Sequence, residues 1–172
     1  MRPSLANDPL LHLRGGQVVL RPPRMADYSA WSHLRGLSRL HLTPFEPMWA
    51  YDELSRAAFR DRVRRYQSEI RSDQGYAFFA FNASNQELVG GISLSNVRRG
   101  VAQTASVGYW TGAPWTRRGY ARDSLAAATK FAFEELRLHR LEAACMPSNS
   151  ASLRTLESCR YRREGIAQRY LK

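Results

Sequence analysis

The 172-residue chain has the length of one ordinary domain, enough to bury about two thirds of the surface its unfolded form exposes. Its 44% hydrophobic and 24% charged residues exclude wholesale disorder, and its longest apolar runs, such as 76–81, fall far short of the roughly 20 residues a bilayer requires. The net charge of +11, carried almost wholly by arginine, points to an anionic partner such as RNA, a ribosome or a phosphate-rich cofactor, unless it serves only solubility.

Residues 1–13 carry two prolines and no sustained period, so they read as an arm, and the domain is expected to start near Gly16. That divides the chain into an arm at 1–15 and a single domain at 16–172. No apolar h-region marks the N-terminus, so a cytoplasmic location is expected. Residues 17–21 form a β-rich run closed by Pro22 and Pro23, and 25–34 has helical spacing with Asp27 in its first turn. After a break at 43–47, residues 52–70 predict a long polar helix with Leu54, Ala58, Val63 and Tyr66 as a loose apolar face. Three aromatic and β-branched runs, 76–81, 87–95 and 103–111, predict an antiparallel meander.

The period then changes. Ala121, Leu125, Ala128, Ala132 and Leu136 predict a helix with one narrow apolar stripe. Residues 140–146 read as a strand, 149–158 as a short helix and 161–170 as a final strand. The sum is an α/β domain with a mixed, mostly antiparallel central sheet flanked by helices. Cys145 and Cys159 are expected as reduced thiols, Cys145 in a buried strand rather than as a nucleophile. No Cys/His cluster has metal-ligand spacing, so no metal is expected. His139 reads as a loop residue ahead of a strand, and Phe78, Phe79 and Phe81 as core.

Two stretches carry chemistry. VGYWTGAPWTRRGYA at 107–121 reads as a strand, a Gly/Pro break, a basic glycine turn and a helix start. Free N–H groups and the positive end of a helix dipole make such a start an anion site, and Gly119 lets the backbone approach a diphosphate. Arg117, Arg118 and Arg122 add charge around it, although a glycine turn with solvated arginines has the same look. The turn lacks the GxxxxGK[ST] and GxGxxG spacings, which disfavours nucleotide hydrolysis and dinucleotide binding. In PSNSASLRTLESCRY at 147–161, Asn149 can cap a helix and Ser152 lies one turn along the same face. Alone the pair reads as a cap and a surface serine. If the strands before both helices are neighbours, both helix starts open on one sheet edge, where α/β folds usually bind ligands.

The chain from 76 to 170 resembles the GCN5-related N-acetyltransferase (GNAT) superfamily. LSNVRRG at 94–100, GYW at 108–110, RRGYARDSL at 117–125, HRLEA at 139–143 and NSAS at 149–152 resemble the RimJ/RimL-type ribosomal-protein-alanine N-acetyltransferases. PFEP at 44–47 is similar to the RimJ branch. The resemblance implies that Arg117, Arg118, Gly119, Tyr120 and Ala121 offer N–H groups to the diphosphate of acetyl-CoA. It implies that Tyr109, Trp110 and Thr111 run alongside pantetheine, with Asn149 and Ser152 near the thiol. Thr116 stands where the family has Gln or Arg, and Cys159 and Arg160 replace an apolar residue and a Gly before Tyr161. Relatives continue past this point into a strand with a Trp and an Asp-His pair; whether this domain carries that strand is left open.

In this superfamily the amine attacks the thioester directly. A backbone N–H near Tyr109 or Trp110 is the expected oxyanion donor, Ser152 the expected proton donor to sulfur and Glu46 the best base, although Glu46 also reads as an ordinary loop residue. The acceptor implied is the N-terminal alanine of a ribosomal protein, lying between Glu46 and the strand that ends at Asn96. The implied partners are a ribosomal protein N-terminus or the ribosome, with rRNA nearby, and the oligomeric state is unassigned. The alternatives are an enzyme acetylating an aminoglycoside, a polyamine or an amino acid, which calls for an enclosed acidic pocket, and a non-catalytic basic ribosome- or RNA-binding module.

Overall fold

A computed structural model describes residues 11–169. Six strands, β1 (Leu13–Gly15), β2 (Val18–Arg21), β3 (Tyr76–Asn82), β4 (Leu88–Arg98), β5 (Thr104–Thr111) and β6 (Arg140–Glu142), lie in chain order in one sheet. Every neighbouring pair is antiparallel except β5 and β6, which are parallel and joined through a crossover helix. The helices are α1 (Tyr28–Leu37), the single turn α2 (Arg39–Leu42), α3 (Arg56–Arg71), α4 (Tyr120–Glu134) and α5 (Ser150–Ser158). This is the mixed α/β architecture expected.

β3 explains why one sheet carries two cores. Tyr76, Phe78 and Ala80 point into the cluster under α4, with Leu125, Ala128 and Phe131, whereas Phe79 and Phe81 point into a second cluster with Trp31, Leu34, Phe59 and Val63 of α1 and α3. A strand covered on both faces reads as a continuous apolar run rather than an alternating one. Edge-on contacts of Tyr76 and Phe78 with Phe131, at 5.4 and 5.6 Å between ring centres, lock α4 in place. The buried face of α4 is wider than a narrow stripe: it adds Tyr120, Ser124 and Ala127, while Ala121 is only half-buried. Ala127 lies so near β1 that a side chain on Gly15 would meet it at 2.7 Å.

Several expected boundaries shift. Residues 1–10 of the expected arm lie outside the described residues, but Leu11 is buried and β1 pairs with β2, so the packed fold begins before Gly16. The helix expected at 25–34 is a 3-10 turn, Met25–Asp27, followed by α1. Asp27 is drawn inward there by a two-pronged ion pair with Arg21 at 2.6 and 2.8 Å. α3 starts at Arg56 rather than 52 because the Ser55 hydroxyl caps it, accepting from the Ala58 N–H at 3.1 Å. Its buried face is Phe59, Val63 and Ile70; Leu54, Ala58 and Tyr66 are half-buried. The strand expected at 140–146 ends at Glu142, leaving Cys145 half-buried in a loop. Residues 161–169 form no strand, and Tyr170 lies outside the described residues.

Candidate active site

β5 and β6 pair only from Thr104↔Arg140 to Ser106↔Glu142. Beyond that point β6 leaves the sheet while β5 runs on to Thr111, so the two strands splay into a groove. The backbone edge of 107–111 faces it. The Gly112 N–H donates to the Val89 carbonyl at 2.9 Å, and the register places Trp110 opposite Gly91 and Tyr109 opposite Ile92. Hydrogen-bonded and non-hydrogen-bonded pairs alternate along an antiparallel ladder. That alternation commits the Trp110 N–H to β4 and turns the N–H and C=O of Tyr109 and Thr111 toward the groove. Of the two N–H groups expected near the oxyanion, the geometry favours that of Tyr109.

At one end of the groove lies the turn before α4. Arg117 (φ +60°) and Gly119 (φ +85°) both occupy the left-handed region, which curls the backbone into a concave run of N–H groups. Gly119 is the N-cap, and it supplies no side-chain cap. Among the described residues none of the N–H groups from Arg117 to Arg122 meets a protein acceptor; the first to do so is that of Asp123, to the Gly119 carbonyl at 3.0 Å. Tyr120 and Ala121 thus keep their donors free, and the guanidiniums of Arg117, Arg118 and Arg122 stand exposed beside them. Thr116 turns its hydroxyl onto the Ala113 carbonyl at 3.1 Å, so its side chain is spent within the turn. Gln17 clamps the turn from below: its side-chain amide donates to the Arg118 carbonyl at 2.6 Å and its N–H to Asp123 Oδ2 at 3.1 Å. Sequence reading missed Gln17, because a residue 101 positions away carries no local signal.

At the other end is the start of α5. Asn149 is its N-cap, its side-chain oxygen accepting the Ser152 N–H at 3.0 Å. The Ser152 hydroxyl lies 2.9 Å from the Tyr109 hydroxyl, which also reaches the Ser152 carbonyl at 3.3 Å. Burial pushes the Tyr109 phenol above its ordinary pKa, against the lowering effect of its bond to Ser152. α5 closes on Arg160 at φ +66°: the Arg160 N–H bonds the Glu157 carbonyl at 2.9 Å and the Tyr161 N–H the Leu156 carbonyl at 3.0 Å. The turn that normally takes glycine is therefore made by arginine.

On the opposite face of the sheet a pocket of about 180 Å³ is lined by Pro23, Glu46, Tyr66, Phe78, Tyr109 and Trp110, among others. Among the described residues Glu46 is its one carboxylate, and both oxygens are engaged: Arg35 grips them at 2.7 and 2.8 Å, and the Trp49 indole N–H adds a bond at 2.9 Å. Arg35 in turn stacks between the rings of Trp49 and Trp110, 4.3 and 5.1 Å from their centres. A carboxylate so held is a fixed wall, poorly placed to act as a base. Arg35 was invisible in the sequence, where a basic residue in a helix reads as solvated. Asn96 is not brought to this pocket. It sits exposed at φ +53° in a β4 irregularity between Ser95 and Arg98, roughly 10 Å along the strand from Ser93, which does line the pocket.

Comparison with known proteins bears on this geometry. A family model described as an acetyltransferase (GNAT) domain matches residues 17–162. The chain is 33% identical over 160 residues to the probable N-acetyltransferase YjcK of Bacillus subtilis (strain 168), covering 93% of this chain and 88% of that protein. It is 28% identical over 172 residues to the [ribosomal protein uS5]-alanine N-acetyltransferase of Escherichia coli (strain K12), covering 96% and 86%. Among solved structures, Mycobacterium smegmatis RimJ in complex with CoA-disulfide superposes with a TM-score of 0.89 at 32% identity, covering 100% of this chain and 83% of that one. The family match spans most of the chain and the relative covers it nearly end to end, so the protein belongs to the GNAT N-acetyltransferase family.

Proposed function

We propose that this enzyme takes the acetyl group from acetyl-CoA and places it on a peptide α-amine, the N-terminal alanine of a ribosomal protein. The observation that carries the acceptor class is the bidentate hold of Arg35 on Glu46, which leaves the pocket without a free carboxylate among the described residues to act as base. An α-amine of pKa about 7.7 to 8.0 is roughly one fifth neutral near pH 7.4, against about one in a thousand for a lysine near 10.4. A site poor in bases therefore favours the α-amine. The same feature argues against a small cationic acceptor, which calls for an acidic enclosure. The similarity to RimJ of M. smegmatis and to the uS5-alanine enzyme of E. coli supports a ribosomal protein as the source of that N-terminus.

The free N–H groups of Arg117 to Arg122, with the three guanidiniums beside them, suit the CoA diphosphate. The groove edge at Tyr109 and Thr111 suits the amides of pantetheine, and Asn149 and Ser152 flank its far end. As the amine lone pair attacks the thioester carbon, the Tyr109 N–H takes the developing oxyanion, a preorganised contact worth roughly 3 kcal/mol. The carbon–nitrogen bond forms, the carbon–sulfur bond breaks with its electron pair on sulfur, and Ser152 donates a hydrogen bond to that thiolate. The proton lost by nitrogen passes to water.

The test is a competition between an alanine-initiated peptide, the same peptide with a blocked N-terminus and an internal lysine, and a polyamine. Acetylation that disappears on blocking, with kcat/KM for the free peptide well above that for the polyamine, is the expected result. Equal rates on the blocked peptide overturn the α-amine reading, and preference for the polyamine moves the enzyme to small-molecule acceptors.

A further inference from the structure

We infer that Tyr109 is the positioning residue that keeps the Ser152 hydroxyl proton aimed at the thioester sulfur. The inference rests on the acetyl-CoA reading above and adds a residue to it. Tyr109, to whose side chain the sequence reading gave no role beyond lying beside pantetheine, places its phenol oxygen 2.9 Å from Ser152 Oγ and 3.3 Å from the Ser152 carbonyl, across 43 positions of sequence. Two contacts from one hydroxyl to both oxygens of one residue join β5 to the first turn of α5.

The reason such a partner matters is the donor count. A serine hydroxyl has one proton. In a first helical turn that proton has local acceptors three or four residues back, here the carbonyls of Asn149 and Ser148, and bonding to either turns it away from the groove. The Asn149 side chain already satisfies the Ser152 N–H, so the backbone makes no further demand on the hydroxyl. The phenol also has a single proton, shared between the Ser152 carbonyl and Ser152 Oγ; given to Oγ, the shorter contact at 2.9 Å, it makes the serine oxygen the acceptor and leaves the serine's own proton for the sulfur. Each bond of the chain from phenol to serine to sulfur polarises the next.

Relative acidities decide what the pair does. A thiol ionises near 8.5 and a phenol near 10, and burial holds Tyr109 higher still. A thiolate of the lower pKa leaves without taking the phenol's proton, so Tyr109 and Ser152 act by hydrogen bonding as charge develops. The carbon–sulfur electron pair stays on sulfur, and the phenol remains a donor throughout the physiological range. Half-buried Cys145, Cys159 and Tyr161 pack with Tyr109 against the same core cluster, which holds its ring in place.

The experiment is a double-mutant cycle with Tyr109→Phe, Ser152→Ala and both, using the alanine-initiated peptide and acetyl-CoA. Tyr109→Phe keeps the ring and should lower kcat about tenfold, with acetyl-CoA affinity, peptide KM and Tm little changed. The double variant should turn over no more slowly than Ser152→Ala alone, because the phenol acts only through the serine. Wild-type kcat in Tyr109→Phe, losses that multiply in the double variant, or a change confined to KM overturns the proposal. Failure of the acceptor reading is seen separately, as absence of wild-type turnover on the peptide; the same cycle, run on whichever amine the competition selects, then still decides the role of Tyr109.

Discussion

The two helices that open on the splayed edge of the sheet begin in opposite ways. α5 starts closed: the Asn149 side chain fills the Ser152 N–H, and the serine hydroxyl is met by Tyr109. α4 starts open: Gly119 offers no side chain, and the N–H groups from Arg117 to Arg122 meet no acceptor among the described residues. A glycine start costs a helix only a few tenths of a kcal/mol relative to a good cap, so free N–H groups at small cost beside three arginines fit a start whose cap is the ligand. The capped start serves a different end, holding one hydroxyl at a fixed place. Strand, turn and helix recur in both, yet one terminus suits binding and the other suits orientation.

The strongest way to break that contrast is to fill the open start. A valine at Gly119 meets φ +85°, which a β-branched residue resists, and its Cβ approaches the Gln17 amide at 3.1 Å. Gly119→Val should weaken acetyl-CoA binding about 100-fold by calorimetry, the loss of one or two charge-assisted hydrogen bonds. Unchanged affinity in a folded variant would remove the diphosphate from this turn. Opening the closed start is the complementary change. Asn149→Ala should cost about 1 kcal/mol of stability in denaturant unfolding while acetyl-CoA affinity falls only a few-fold. A fall as large as that of Gly119→Val would erase the distinction between the two termini. The smallest effect lies at the far end of α5, where Arg160 holds φ +66°. Arg160→Gly should relieve left-handed strain and raise stability by about 0.5–1 kcal/mol, without changing kcat. A loss of stability would mean that the arginine side chain contributes more than its backbone strain costs.

Much of this was legible in local pattern. The meander, the period change at 120, the basic glycine turn and the Asn149 cap each follow from residues within one or two turns of one another, because propensity and capping act over that range. The strand run 76–81 was legible as β, but not that its two faces serve two cores. Residues 143–146 and 161–169 form no strand for a related reason. Apolar and aromatic content marks a segment that can be buried, whereas a strand also needs a neighbour to pair with, and β6 loses β5 after Glu142.

The sequence by itself determined the order of the main elements from β2 to α5, the family and the two helix starts at which the chemistry is expected, since these rest on local motifs. Only the tertiary structure decided which donors and acceptors are free. It spent Glu46 on Arg35, committed the Trp110 N–H to β4, left that of Tyr109 facing the groove and set the Tyr109 phenol on Ser152. A hydrogen bond is directional and a group's availability depends on partners tens of positions away, so residue type and spacing name the candidates but not the ones still free to act.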